Sequence, residues 1–432
     1  MLDIRFIREN PELVEKNAIN KGVNVDISAL LKLDLEYRGL QGKVDELRQK
    51  RNENVEKSKG GRPTDELITE GKAIKEQLSD IEPQLKEIGT NFINQLKKVP
   101  NMALDDVPIG HSEDENVVIE TVGDLPQFDF KPLNHAEIAD KRDWLDKERA
   151  AKVAGSRFAY VKGDLVRLQF AIINFVMDIL GDESTIAEIA KNNNLDVSTK
   201  PFVPVLPPYM IRTDVYDAMD RLEPRDERYK LENDDLWLQG SAEHTLGSMY
   251  FNEVLDESQL PIRYLGYATS FRREAGTYGK DMEGLFRMHQ FDKLEIESFT
   301  VAEDGLKEHL LFAAIQDYML TKLELSHQIV QKCTFDIGKP NARGVDMNTY
   351  LPGQGKYRET HTADYMTDYQ SRRMNTRVRR KSGALELVHT NDATAFALGR
   401  IMIAILENYQ TADGKVNVPK VLQNYLGGRT VL

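Results

Sequence analysis

Cysteine is almost missing: Cys333 stands alone among 432 residues, so no intrachain disulfide can form, and a reducing, cytoplasmic location is expected. Long apolar runs are missing too. None approaches the ~20 residues that span a bilayer, and charges in the opening MLDIRFIREN interrupt any leader-like stretch. No membrane partner is expected. The phosphate-binding pattern G-x-x-x-x-G-K-[ST] does not occur, nor does G-x-G-x-x-G after a strand, H-E-x-x-H, or a paired-cysteine zinc spacing. Walker-type, dinucleotide and side-chain zinc chemistries therefore lack support. Basic charge is in deficit, with 57 Lys and Arg against 70 Asp and Glu and a net charge of −13. An electrostatic DNA binder is usually basic, because neutralised phosphates supply its affinity. An RNA partner would need a local basic patch, and RRMNTRVRRK at Arg372–Lys381 is one candidate.

What is present divides at about residue 105. A short helix is expected over Pro11–Asn20. Apolar residues then step by four and three through Leu33, Tyr37, Leu40, Val44 and Leu47, as a coiled-coil seam requires. The run turns polar at Arg51, Asn54 and Ser58, and KSKGGRP (57–63) breaks it. A second seam follows through Leu67, Gly71, Ile74, Leu78, Ile81, Leu85, Ile88 and Phe92, with Pro83 expected to kink its helix. A short connection makes the two helices antiparallel neighbours. The expectation is a helical arm over residues 1–105 and a second domain over 106–432.

In the second domain, helix is expected over 163–192, strands at Trp237–Gly240, Arg263–Glu274 and Leu285–Ile296, helix over Ala302–Ile329, and a last helix over Ala395–Tyr409. Hairpin-linked strands with helices grouped around them point to an α+β fold on an antiparallel sheet. The stretch Phe271–Glu295, FRREAGTYGKDMEGLFRMHQFDKLE, reads as two strands joined by a polar loop. Alternation puts Arg272 and Glu274 on one face, and Arg287, His289, Phe291, Lys293 and Glu295 on one face of the second strand. Phe291 and Glu295 would lie roughly 13 Å apart, comparable to the span of an aminoacyl adenylate. A nucleotide clamp and a solvated charged hairpin both fit that spacing. Arg400, amid the apolar AFALGRIMIAILENY, should meet an anion, either an internal glutamate or a nucleotide phosphate. For His289, His361 and His389, structural and catalytic roles both stay open.

These segments together resemble the seryl-tRNA synthetases, a family of class II aminoacyl-tRNA synthetases, over nearly the whole chain. FVPVLPPY (202–209) resembles motif 1, FRREAG with RMHQFDKLE resembles motif 2, and HTNDATAFALGRIMIAILENYQ (389–410) resembles motif 3. LPGQGKYRET (351–360), YQSRRMNTR (369–377) and the terminal NVPKVLQNYLGG look like the family's connecting and closing segments. The resemblance implies an antiparallel-sheet catalytic domain behind a two-helix coiled-coil arm that binds tRNA. It implies ATP contacts at Arg272, Arg273, Glu274, Met288, Phe291, Glu359, Thr360, His361, Thr362 and Arg400. Of these, Arg272, Glu274 and Arg400 would be catalytic, with Arg272 at the α-phosphate, Phe291 on adenine and Arg400 at the γ-phosphate. Glu359 and Thr362 would hold Mg2+ with ATP. Ser241, Ala242, Glu243, Arg272, Glu295, Asp392 and Thr394 would bind serine, Glu295 taking its ammonium. The implied partners are L-serine, tRNA(Ser), tRNA(Sec) and a second copy of the chain; DNA and membranes are not among them.

The chain departs from the family pattern at several positions. Ser241 stands where Thr is usual and Asp392 where Asn is usual. Asn348 and Tyr350 replace Glu and Trp, and THTADY (360–365) differs from the usual run. A paralogue activating another small amino acid and a non-catalytic binding homologue are the alternatives. Retention of Arg272, Glu274, Glu295 and Arg400 argues against the second.

Overall fold

The computed structural model describes residues 1–59, 63–274 and 284–432. The expected hairpin loop at 275–283 therefore lies outside the described residues. Backbone contacts divide the chain into Met1–Met102 and Ala103–Leu432.

The first unit is helical: α1 (Ile4–Glu9), α2 (Pro11–Asn20), α3 (Ile27–Lys57) and α4 (Asp65–Leu96). The sequence reading missed α1. Asp26 caps α3 by accepting from the Ala29 amide, and Thr64 caps α4 by accepting from that of Leu67. The 31 residues of α3 span roughly 45 Å. Both heptad seams form, with Val44, Ile74, Leu78 and Phe92 buried between the helices. Two seam positions carry notches in place of knobs. Tyr37 stacks on Phe92 at 5.4 Å, and a Cβ on Gly89 would come within 2.9 Å of the Tyr37 ring. Asn54 donates to the Leu67 carbonyl and the Glu70 carboxylate, with Gly71 beside it. Pro83 sits inside α4 without ending it.

In the second unit, eight strands form one sheet: β1 (Val117–Val122), β2 (Val203–Val205), β3 (Ile262–Phe271), β4 (Gln290–Thr300), β5 (His327–Gln331), β6 (Arg343–Leu351), β7 (Lys356–Thr367) and β8 (His389–Ala397). Their order is β1-β5-β6-β7-β8-β4-β3-β2, and every neighbouring pair is antiparallel except the parallel edge pair β2–β3. Helices α5 (Asp164–Gly181), α6 (Glu183–Asn192), α7 (Gly305–Lys322) and α8 (Leu398–Asn408) pack with the sheet in one core. Side chains alternate across a strand, and here the alternation separates two environments. Leu294, Ile296, Val345, Met347, Ala363 and Ala393 join the helices' apolar side chains in that core. The intervening Lys293, Glu295, Glu297, Asp346, Asp364, Asp392 and Thr394 are buried as well, although polar.

Several expected boundaries shift. The helix expected over 163–192 breaks at Asp182, whose carboxylate accepts from the amides of Ser184 and Thr185 to start α6. The helix expected to reach Ile329 stops at Lys322, because His327–Gln331, with Ile329 and Val330 at its centre, pairs on both sides, with β1 and β6. The last helix begins at Leu398, not Ala395; residues 389–397 are held as strand along β4, with 390–393 paired to β7 as well, overriding alanine's helical preference. The hairpin strands end at Phe271 and begin at Gln290.

Candidate active site

Phe271 pairs with Gln290, and the Arg272 amide donating to the His289 carbonyl (3.0 Å) carries the ladder one residue further. Beyond it the strand expectation fails. Glu274 has φ +52° and leaves the β conformation, its carboxylate lying 3.2 Å from Arg287. The Arg272 guanidinium donates to the Gly240 carbonyl (2.9 Å) and lies 5.4 Å from the Phe291 ring centre.

Arg400 corrects a second expectation. It lies in the first turn of α8 and its side chain is a quarter exposed, so it is neither mid-helix nor sealed in the core. Its Nη1 donates to the Glu359 carboxylate (2.8 Å) and carbonyl (2.9 Å), which realises the internal Arg–Glu alternative. Partial desolvation in the cleft opposes ionisation of the half-exposed Glu359 carboxyl, but Arg400 and Lys332 outweigh it and hold it below its usual value. Arg358 and Arg400 both lie over the ring of Phe286, at 4.1 and 5.2 Å. Arg272, Glu274, Met288, Phe291, Glu359, Thr360, Thr362, Thr394 and Arg400 line one cleft, with Phe286 and Lys293 among them.

Two of the expected ATP residues are not brought there. Arg273 is exposed, donates to the Arg228 carbonyl and lies 4.9 Å from the Tyr229 ring. His361 is buried on the helical side of β7, 5.0 Å from the core residue Phe396. His289 and His389 hydrogen-bond to the Arg272 carbonyl and the Tyr365 hydroxyl. In the basic stretch Arg372 pairs with Asp368, Arg373 with Asp217 and Asp220, and Arg380 with Glu257, Glu303 and Glu386. Arg379 and Lys381 of the same stretch are exposed.

Behind the cleft wall made by Lys293 and Thr394 lies a buried acidic group. Glu295 is fully buried, with Oε1 2.8 Å from Lys293 Nζ and 3.4 Å from the Thr394 hydroxyl. Its Oε2 has no hydrogen-bond partner. Burial pushes this carboxyl up to about 7, Lys293 opposing and Glu243 adding to the shift. Ser241 donates to Glu243 at 3.3 Å, and Ala242 is buried against Leu246 and Ala268. Arg221 joins Glu243 (3.0 Å) to Asp392 (3.1 Å). Sequence reasoning missed Arg221, Glu297, Lys332 and Phe286. The period-two run Lys293, Glu295, Glu297 was a usable signal for Glu297; nothing local marked Arg221.

A model of the seryl-tRNA synthetase N-terminal domain matches residues 1–103, and one of the tRNA synthetase class II core domain (G, H, P, S and T) matches 228–409. The serine–tRNA ligase of Deinococcus radiodurans is 39% identical over 440 aligned positions, covering 100% of this chain and 99% of that protein. The chain belongs to the seryl-tRNA synthetase family. The Nitrosopumilus maritimus member is 35% identical, with 99% of each chain covered. Among solved members, the Pyrococcus horikoshii enzyme complexed with ATP superposes with a TM-score of 0.88 at 35% identity, covering 100% of this chain and 99% of that one.

Within this family member, the wall from Gly284 to Met288 has its own brace. Glu407, buried in α8, accepts from the His135 amide (3.0 Å), His135 Nδ1 (2.9 Å) and the Gly353 amide (2.9 Å). The fixed imidazole abuts Gly284, where φ is +60° and an added Cβ would fall 1.9 Å from His135 Nε2. Gly284→Ala is expected to raise KM for ATP by about tenfold, roughly 1.4 kcal/mol, and adding His135→Ala should recover the steric part of it but not the strain of alanine at a φ of +60°. Steady-state kinetics of both variants check this, and a double mutant no better than the single would refute the brace.

Proposed function

We propose that the chain activates L-serine with ATP and transfers the seryl group to tRNA(Ser), with tRNA(Sec) as a second acceptor to assay. The observation that carries the serine half is Glu295: a buried carboxylate with one bare oxygen, at the end of a cleft whose other end holds arginines and aromatic rings. An α-ammonium would satisfy that oxygen. The amino-acid carboxylate is already a nucleophile, so the site has to align it with the α-phosphorus and offset developing charge. Arg272 suits the α-phosphate, Phe291 the adenine face and Arg400 the γ-phosphate, released from Glu359 as the nucleotide enters. Ser241, Glu243, Thr394 and Asp392 would enclose the serine side chain.

Among the described residues no three ligating side chains gather into a metal cage. The half-exposed Glu359 carboxylate and the Thr362 hydroxyl, both on the cleft, instead fit Mg2+, which keeps waters and binds through one or two carboxylates plus phosphates. When bound there, the ion would neutralise phosphate charge.

The α3–α4 hairpin is the proposed tRNA-binding element, since RNA duplexes are recognised by backbone shape. A homodimer is proposed through the β2 edge, where Val203, Leu206, Tyr209 and Met210 are exposed, Leu206 by three-quarters. The deciding experiment is ATP–pyrophosphate exchange with each of the twenty amino acids. Exchange driven by threonine, alanine or glycine in place of serine would overturn the substrate, and none at all would restore the binding-homologue alternative.

The raised Glu295 carboxyl gives a pH prediction. The ammonium needs the carboxylate form, which is the minor form below about 7. KM for serine is expected to fall as pH rises from 6 to 8, by up to ~10-fold per unit on the acid side. The sign for stability is opposite. A folded-state pKa above the unfolded value of 4.5 favours the empty protein at low pH, and that contribution is lost as pH rises through about 7. A serine KM independent of pH across this range would exclude Glu295 as the ammonium's partner.

A further inference from the structure

Four carboxylates meet behind the cleft: Glu243, Glu295, Glu297 and Asp392. Glu295 and Glu297 alternate onto one face of β4. Across the β4–β8 ladder Asp392 pairs directly with Glu297, and Thr394 with Glu295. Directly opposed residues bring their Cβ atoms to about 5 Å. The short helix Glu243–Leu246 closes over them, and a Cβ on the following Gly247 would lie 3.2 Å from Glu297 Oε1.

The positive charge reaching this group is limited. Arg221 serves Glu243 and Asp392, and Lys293 serves Glu295. His244 lies 3.5 Å from Glu243, but burial keeps its imidazole neutral, down to about 3. Lys332 is 3.4 Å from Asp364, the partner of Asp392 on β7, and shares itself with Asp346 at 3.7 Å. Glu297 is fully buried, and neither of its oxygens has a hydrogen-bond partner. A substrate α-ammonium would complete Glu295. The Glu297–Asp392 pair would still lack one positive charge, and a buried unpaired carboxylate is costly. With serine bound, a proton can fill that place. An ammonium standing where serine has its hydroxyl could fill it instead.

We propose that the pocket also accepts L-2,3-diaminopropionate, serine's near-isostere with an ammonium on Cβ, and that Glu297 together with Asp392 receives that ammonium. This rests on the amino-acid-activation reading above. The reaction keeps its balance: a carboxylate oxygen bonds to the α-phosphorus, the bond from that phosphorus to the α–β bridging oxygen breaks, and pyrophosphate leaves with the electron pair.

The test is ATP–pyrophosphate exchange on the full chain with L-serine, L-2,3-diaminopropionate and L-alanine. Diaminopropionate is expected to drive exchange at least ~10-fold faster than alanine, which lacks any polar side-chain group. In Glu297→Gln and in Asp392→Asn the diaminopropionate-to-serine ratio of kcat/KM should drop by ~10-fold or more, since each removes a counter-charge from a buried site. Serine-driven exchange with diaminopropionate no better than alanine overturns the proposal and leaves serine activation standing. An unchanged ratio in folded variants overturns the assignment to the acid pair. Absence of exchange with serine would instead sink the underlying reading. Circular dichroism identifies a variant that does not fold, and the wild-type comparison with Asp392→Asn then decides.

Discussion

Glu295→Gln should lower kcat/KM for serine in ATP–pyrophosphate exchange by ~100- to 1000-fold, the scale of truncating one member of a buried charge pair. Two effects add. The amide cannot balance the incoming ammonium, and Lys293, now 2.8 Å from Oε1, loses its counter-charge in a buried site. ATP should still bind, because Arg272, Phe291 and Arg400 are untouched. Exchange kinetics with parallel calorimetric titration of ATP distinguish the outcomes. Near wild-type exchange would remove Glu295 from the amino-acid site, and joint loss of ATP binding would mean that the change had disturbed the sheet.

The second large effect concerns the arm. Deleting Ser28–Lys98 should leave serine-dependent exchange near its full rate and lower aminoacylation of tRNA by ~1000-fold, the equivalent of roughly 4 kcal/mol of lost RNA contact. The grounds are structural. The α3–α4 seam closes on its own residues, while every cleft residue lies beyond Ala103. Paired exchange and charging assays read this directly. Unchanged charging would refute the arm's role, and loss of both activities would show that catalysis depends on the first unit.

The arm was the most legible part of the sequence. Its heptads require only local periodicity, and Leu33 through Leu47 and Leu67 through Phe92 all lie on the seam or at its margins. The hairpin was half legible. Period two correctly grouped Phe291, Lys293 and Glu295, but it could not reveal that the first strand ends at Phe271, since the left-handed turn at Glu274 has no glycine to announce it. Helix ends failed where a strand carries helix-forming residues: Ala397 is strand because it pairs with Lys293 of β4, and Ala395 sits at the register shift just before it, a non-local fact. The same limit hid Arg221, which lies far in sequence from Asp392 and is joined to it only by the fold. His361 shows a limit of the opposite kind. A motif match carries a position into the site, whereas alternation sent its ring into the core.

The notches at Gly71 and Gly89 have a mechanical consequence. Asn54 and Tyr37 fit at those two levels because no side chain stands opposite them. If either helix slid by a turn, Tyr37 would meet a side chain where it now meets bare backbone. The pair therefore behaves as a ruler of fixed graduation, not as a telescoping strut. On the proposed tRNA-binding role, an RNA read by such a ruler would be measured by length as well as shape, and filling either notch, as in Gly89→Leu, would change the scale before it changed the chemistry.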